Sequence, residues 1–178
     1  MLSLIIGGSA SGKSEYAESL AVSYNTKYLY YIATMQPYGD KETTEKINRH
    51  KAMRHKKGFI TIECYTQLSS VAVESNSTVL LECIGNLAAN EMFSPQGAQK
   101  NAANEIISGI KSLLRQCQNL IIVSNDVFAD GICYGEGTNE YIKTVADINS
   151  FAAQLADNVA EVVCGIPIAI KGEAYAYN

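Results

Sequence analysis

The chain has 178 residues, of which 47% are hydrophobic, and its formal net charge is −4 at pH 7. This length is typical of one domain with a full core, and no apolar run approaches the roughly 20 residues that a membrane-spanning helix needs. The acidic balance disfavours nucleic acid as a partner, and five cysteines without a Cys-x-x-Cys pair disfavour a zinc site or a disulfide framework. No leader-like segment precedes the first predicted strand, so we expect a single cytoplasmic domain over residues 1–178.

Apolar runs alternate with helical patterns along the chain. We expect strands at residues 2–6, 28–33, 59–63, 78–82, 120–124, 161–163 and 167–171. We expect helices at residues 13–24, 42–57, 67–74, 85–93, 101–116 and 139–159. Regular β/α alternation with near-continuous apolar strands predicts an α/β fold with a mostly parallel central sheet and helices on both faces.

The segment from Gly7 to Ser14 carries a specific motif between the first strand and the first helix. It reads Gly-Gly-Ser-Ala-Ser-Gly-Lys-Ser, which has the G-x-x-x-x-G-K-[ST] spacing of a P-loop. We expect Gly7 and Gly12 to adopt backbone angles that a Cβ would forbid. We expect Lys13 to reach the β- and γ-phosphates, and Ser14 to ligate Mg²⁺. The motif therefore predicts a P-loop NTPase-type domain that binds a nucleoside triphosphate with Mg²⁺.

Three carboxylates follow predicted strands. Glu82 is the first candidate for holding Mg²⁺ or orienting water, because it ends the apolar run Val79-Leu80-Leu81. Glu63 and Asp126 end two other strands. Any one of them could simply be the polar residue that terminates a buried strand, but all three should lie at the same sheet edge as the P-loop.

A basic segment lies between Lys41 and Lys57. It holds seven of the 14 basic residues and both histidines, His50 and His55. On a helix, His50 and Arg54 share one face, and the surrounding cations favour a neutral, nucleophilic imidazole. Such a histidine could attack phosphorus, while the cations hold a triphosphate. The alternative is a solvated basic helix face that could contact nucleic acid.

Several segments together carry a family resemblance. They are the P-loop, Tyr31-Ile-Ala-Thr34, Ile47-Asn-Arg-His-Lys51 with Arg54, Glu63-Cys64, Leu80-Leu-Glu-Cys-Ile84 and Val123-Ser-Asn-Asp-Val127. Over essentially the whole chain, the sequence resembles the bifunctional adenosylcobinamide kinase/adenosylcobinamide-phosphate guanylyltransferases of cobalamin biosynthesis. The resemblance implies a RecA-like P-loop fold and a homotrimer.

The same resemblance implies two reactions. A nucleoside triphosphate, ATP or GTP, phosphorylates the hydroxyl of adenosylcobinamide. GTP then guanylylates a histidine that matches His50, and this histidine passes GMP to the phosphorylated substrate, giving adenosylcobinamide-GDP. Lys13 joins His50 as a catalytic residue, and Ser14 with Glu82 would hold Mg²⁺. The implied guanine-nucleotide contacts are Gly7, Gly8, Ser9, Ala10, Ser11, Gly12, Lys13, Ser14, Thr34, Met35, Gln36, Lys51, Ala52, Met53, Arg54, Glu63 and Glu82.

Two other functions fit the residues alone. The chain could be a P-loop kinase of a small hydroxylated metabolite, in which His50 only contacts phosphate and no covalent GMP forms. It could also be a RecA-like ATPase that uses the basic 41–57 face to bind nucleic acid, although the acidic net charge counts against this function.

Overall fold

The computed structural model describes residues 1–37, 56–127 and 134–174. Its strands are β1 (Leu2–Gly7), β2 (Tyr28–Ala33), β3 (Ile60–Glu63), β4 (Ser77–Glu82), β5 (Asn119–Asn125), β6 (Asn158–Val163) and β7 (Ile166–Lys171). Its α-helices are α1 (Lys13–Ser23), α2 (Ile84–Phe93), α3 (Ala102–Gln116) and α4 (Glu136–Leu155), and short 3₁₀ turns lie at Leu68–Ser70 and Gln99–Asn101.

All the described strands form one sheet in the order β3-β2-β4-β5-β1-β6-β7. The neighbours from β3 to β6 are parallel, and β7 pairs antiparallel with β6 as a hairpin. The prediction of a mostly parallel sheet is therefore confirmed. In this order a single strand, β5, separates the P-loop strand β1 from β4, which carries Glu82 at its end.

The sheet has a hydrophobic core on each face. In β5, Leu120 and Ile122 point to one core while Ile121 and Val123 point to the other, as the twofold alternation of a strand requires. Helix α1 covers one face, and α2, α3 and α4 cover the opposite face. The prediction of helices on both faces is also confirmed, and strands buried on both sides explain the continuous apolar runs.

Some predicted boundaries are wrong. The last helix, expected to reach residue 159, ends at Leu155, because the chain turns there to pair with β1. The Leu2 N–H donates to Asp157 Oδ2 at 2.7 Å, and the Asp157 N–H donates to Leu2 O at 2.9 Å, so residues 158 and 159 begin β6 instead. The expected helix at 67–74 is only the single 3₁₀ turn at Leu68–Ser70.

Other predictions fall partly or wholly beyond the described residues. Of the helix expected at 42–57, only its last two residues are described. Among the described helices, none has the length and apolar character needed to cross a bilayer.

Candidate functional site

The P-loop connects β1 to α1 at the carboxyl edge of the sheet. Gly12, the residue before the first helical position, has a φ of +91°, in the left-handed region that glycine adopts without strain. Gly12 has no side chain that could accept hydrogen bonds from the first-turn N–H groups of α1. Such N–H groups at a helix N-terminus favour an anion. The expectation of an unusual backbone angle is thus confirmed at Gly12.

The expectation for Gly7 is wrong in its reason. Gly7 lies in β1, outside the left-handed region, and its requirement is space. A Cβ there would lie 2.7 Å from the main-chain oxygen of Val162 and 2.5 Å from Ser11 Oγ. Val162 belongs to β6, the strand beside β1, so the loop leaves the sheet too close to that backbone for any side chain.

We expect Gly7→Ala to destabilise the protein by about 1–3 kcal/mol, the usual cost of overpacking. Gly8→Ala is the matched control, because a Cβ at Gly8 meets no atom within 4 Å. Urea unfolding followed by circular dichroism would measure both. Equal stability of the two variants would contradict the close-approach explanation.

Lys13 lies folded back across the loop. Its Nζ donates to Gly8 O at 2.9 Å, and the residue is only 8% exposed. The ammonium group is therefore held over the same loop whose N–H groups would face a phosphate. Ser11 Oγ is buried and has no hydrogen-bond partner among the described residues. An unsatisfied hydroxyl and an uncapped helix N-terminus both fit a polyphosphate ligand.

Ser14 and Glu82, the two predicted metal ligands, are in contact. Ser14 Oγ donates to Glu82 Oε1, and the Tyr31 hydroxyl donates to Glu82 Oε2 at 3.0 Å. The first turn of α1 and the end of β4 are thus joined by oxygen atoms of the type that Mg²⁺ prefers. The sequence placed both residues near the P-loop, and the structure brings their side chains together.

The three predicted carboxylates do lie at one edge of the sheet. Ala33 of β2 pairs with Glu63 on one side and with Glu82 on the other, so these carboxylates stand level with each other two strands apart. Glu63 accepts a hydrogen bond from the Tyr65 hydroxyl at 2.8 Å and lines an open cleft of about 360 Å³. The Asp126 N–H donates to Gly7 O at 3.1 Å. Glu82 is bonded to a P-loop side chain, that of Ser14.

Thr34 has a structural role that the sequence did not indicate. It is fully buried, and its hydroxyl accepts a hydrogen bond from the Cys83 N–H at 2.7 Å. The same hydroxyl lies 2.9 Å from the main-chain oxygens of both Glu82 and Cys83, to one of which it donates. Asn90 of α2 in turn donates to Thr34 O at 2.9 Å. Thr34 therefore holds the turn that follows β4.

Of the next two predicted nucleotide contacts, Met35 is exposed and Gln36 is half-buried. The nucleotide contact expected at Thr34 stays a prediction.

The tip of the β6–β7 hairpin packs against the P-loop. The Gly165 N–H donates to Ser11 O at 2.8 Å, and a Cβ on Gly12 would lie 3.0 Å from Gly165 Cα. Sequence reasoning missed this support, because it predicted two short closing strands without indicating which loop their connection would touch. The only available signal was Gly165 between two short strands.

The predicted nucleophile lies outside the described residues. His50, Lys51, Ala52, Met53 and Arg54 all fall in the range 38–55. The chain enters that range after Pro37, just beyond the carboxyl end of β2, and leaves it at Lys56. Next along the chain, Lys57 forms an ion pair with Glu18 of α1, with 2.5 Å between Nζ and Oε2. Two residues after the range that contains His50, the chain is therefore tied to the P-loop helix.

Known proteins share this fold. The chain resembles the crystal structure of the flagellar accessory protein FlaH from Methanocaldococcus jannaschii, with a TM-score of 0.52 and 14% identity over 97% of this chain and 78% of that one. At that identity the likeness concerns the fold alone. It agrees with the P-loop NTPase-type α/β fold predicted from the sequence, which is confirmed.

Sequence comparisons are more specific. The chain is 32% identical to the bifunctional adenosylcobalamin biosynthesis protein CobU of Salmonella typhimurium, over 96% of this chain and 100% of that protein. It is 30% identical to the protein of the same name from Escherichia coli, again over 96% and 100%. The family model for cobinamide kinase / cobinamide phosphate guanyltransferase matches residues 3–170. The chain therefore belongs to the cobinamide kinase / cobinamide phosphate guanyltransferase family.

Proposed function

We propose that this chain first phosphorylates the hydroxyl of adenosylcobinamide and then transfers GMP to the product through a guanylyl-His50 intermediate. Family membership supports the pair of activities. The observation that carries the proposal is the contact between Ser14 and Glu82, because it joins a P-loop hydroxyl to a strand-end carboxylate where a nucleotide's metal ion would lie.

The residues divide the work of binding. The uncapped N–H groups at the start of α1 would donate hydrogen bonds to phosphate oxygens, and Lys13 supplies a positive charge over the loop. Ser14 and Glu82 provide hard oxygen ligands, so these residues fit Mg²⁺. Bound there, Mg²⁺ would neutralise the charge that develops on the phosphate oxygens. The nucleotide is thereby oriented with its phosphates at the carboxyl edge of the sheet.

The transfer step makes and breaks one bond at phosphorus in each half. An imidazole nitrogen of His50 attacks the α-phosphorus of GTP, the bond to the β-phosphate oxygen breaks, and pyrophosphate leaves while the imidazole loses its proton to solvent. A phosphate oxygen of adenosylcobinamide phosphate then attacks the same phosphorus. The P–N bond breaks, and the imidazole nitrogen recovers a proton. Neighbouring cations such as Lys51 and Arg54 would stabilise the transferred phosphate.

The proposal is tested by the intact mass of the protein after incubation with GTP and Mg²⁺, followed by peptide mapping. We expect a gain of one GMP on the peptide that contains His50, lost in acid and retained in base, as a phosphoramidate requires. Bound GTP without any adduct would instead support the single-activity kinase, which phosphorylates adenosylcobinamide without a covalent intermediate.

Self-association as a trimer, implied by the family resemblance, is part of the proposal. Ile166, Ile168 and Ile170 alternate along the edge strand β7 and are 65%, 49% and 62% exposed. Residues two apart in a strand share a face, so these side chains form one apolar strip. Burying such a strip against a second copy of the chain would remove it from water.

Ile168→Lys is expected to shift the protein from trimer to monomer in light scattering after size exclusion. Ile60→Lys is the matched control, because Ile60 is 46% exposed on β3 at the opposite edge of the sheet. A trimer that survives Ile168→Lys and Ile166→Lys would exclude β7 as the interface.

A further inference from the structure

The carboxylate of Glu82 is held on both of its oxygens. Ser14 donates to Oε1 from the first turn of α1, and the Tyr31 hydroxyl donates to Oε2 from β2 at 3.0 Å. In the proposed function the Ser14 hydroxyl oxygen would also ligate the metal ion, which explains its position beside Glu82. Tyr31 is not a proposed metal ligand, so its hydrogen bond to Glu82 needs another explanation.

The sheet register places Tyr31 beside Glu82. Tyr31 pairs with Leu80 across the parallel β2–β4 ladder, and Glu82 lies two residues beyond Leu80. Residues two apart share a face, so Tyr31, Leu80 and Glu82 all point to the α1 side of the sheet. The hydroxyl therefore reaches the carboxylate diagonally across adjacent strands.

The Tyr31 ring is fixed in place. The residue is 7% exposed, and its ring packs edge-on against Phe59 with 5.8 Å between centroids and 88° between planes. The main chain of Glu82 is fixed as well, because Thr34 holds the turn that follows it. The torsions of the Glu82 side chain lie between that main chain and the carboxylate, and the last of them is intrinsically broad, so the orientation of the carboxylate depends on its hydrogen bonds.

We infer that Tyr31 is a positioning residue that fixes the orientation of the Glu82 carboxylate. By holding Oε2, it keeps Oε1 directed at Ser14, where the proposed metal ion would bind. Tyr31 acts through Glu82 and does not itself touch the nucleotide. The inference rests on the proposed function only for the presence of a metal-bound nucleotide, and not on the guanylyl-histidine step.

The test is the gain in GTP affinity that Mg²⁺ produces, measured by titration calorimetry with Mg²⁺ and with EDTA. Tyr31→Phe keeps the ring and removes the hydroxyl, so we expect the gain to fall on the order of tenfold, as for loss of a hydrogen bond to a charged group. Affinity in EDTA should stay unchanged. Tyr30→Phe is the matched control, since Tyr30 is the adjacent residue and packs on the opposite core.

A double-variant cycle completes the test. In a Glu82→Gln background, Tyr31→Phe should cause little further loss of the Mg²⁺ effect, because both changes act on the same carboxylate. An undiminished Mg²⁺ effect in Tyr31→Phe, or no Mg²⁺ effect in the wild type, would overturn the inference. Equal losses with and without Mg²⁺ would indicate a merely structural role and would also overturn it. If no GMP adduct forms but the tenfold loss is found, the guanylyl-transfer proposal fails and the inference on Tyr31 stands.

Discussion

The His50→Ala protein is expected to take up no GMP when it is incubated with GTP and Mg²⁺. The reason is chemical, because alanine offers no nitrogen to attack the α-phosphorus, and the covalent half-reaction then has no nucleophile. His55→Ala is a close control, since the chain contains two histidines and both lie in the basic 41–57 segment. It should form the adduct as fully as the wild type does.

Kinase activity should separate from guanylyl transfer in the same variant. His50→Ala should still phosphorylate adenosylcobinamide, because the P-loop, Ser14 and Glu82 are unchanged. Mass spectrometry of the protein and chromatography of the corrinoid product would follow the two activities side by side. A GMP adduct on His50→Ala would place the nucleophile elsewhere, and adduct loss in His55→Ala would point to His55 instead.

Lys13→Ala is expected to lower the affinity for GTP by roughly 10²-fold, the loss that follows removal of a charge-assisted hydrogen bond near the upper end of its range. The ammonium lies over the loop, 2.9 Å from Gly8 O, and it is the P-loop's own cation. Both activities should therefore be lost together. Stability should change little, because Lys13 donates to a single main-chain oxygen among its described hydrogen bonds.

Titration calorimetry with GTP and Mg²⁺ would measure this loss, and thermal unfolding would check the fold. Lys27→Ala is a suitable control, since it removes the same charge from an exposed position between α1 and β2. Unchanged GTP affinity in Lys13→Ala would refute the assignment of Lys13 to the phosphates. A similar loss in Lys27→Ala would show that net charge, rather than a specific contact, controls binding.

Much of the fold could be predicted from the sequence because its signals are local. Alternating apolar runs and amphipathic helices mark the elements, and the P-loop spacing marks one turn between them. Glu82 could be singled out because it ends an apolar run. Boundaries set by long-range pairing were less accessible, as at Asp157, where bonds to Leu2 decide that the chain has already left the helix.

The contacts within the site could not be predicted, because they depend on which strands are neighbours. Local periodicity does not reveal that a single strand, β5, separates β4 from β1. The contact between Ser14 and Glu82 follows from that order. The same holds for Tyr31, whose hydroxyl reaches Glu82 only because β2 pairs with β4 in a particular register. Gly7 is a further example. The motif predicts a glycine requirement there, but it does not reveal that the requirement comes from the main chain of Val162, far along the sequence.

The hairpin that supports the P-loop has a consequence for biosynthesis of the protein. The P-loop is synthesised well before Gly165, so Ser11 O receives its hydrogen-bond donor only when Gly165 has been made. Contacts between such distant residues form late, because closing a long loop costs entropy before it returns any stabilisation. A nascent chain carries the whole nucleotide motif without its final support, so tight nucleotide binding should report that synthesis has passed β6. The ligand would then preferentially stabilise chains that already contain the β6–β7 hairpin over shorter ones that lack it.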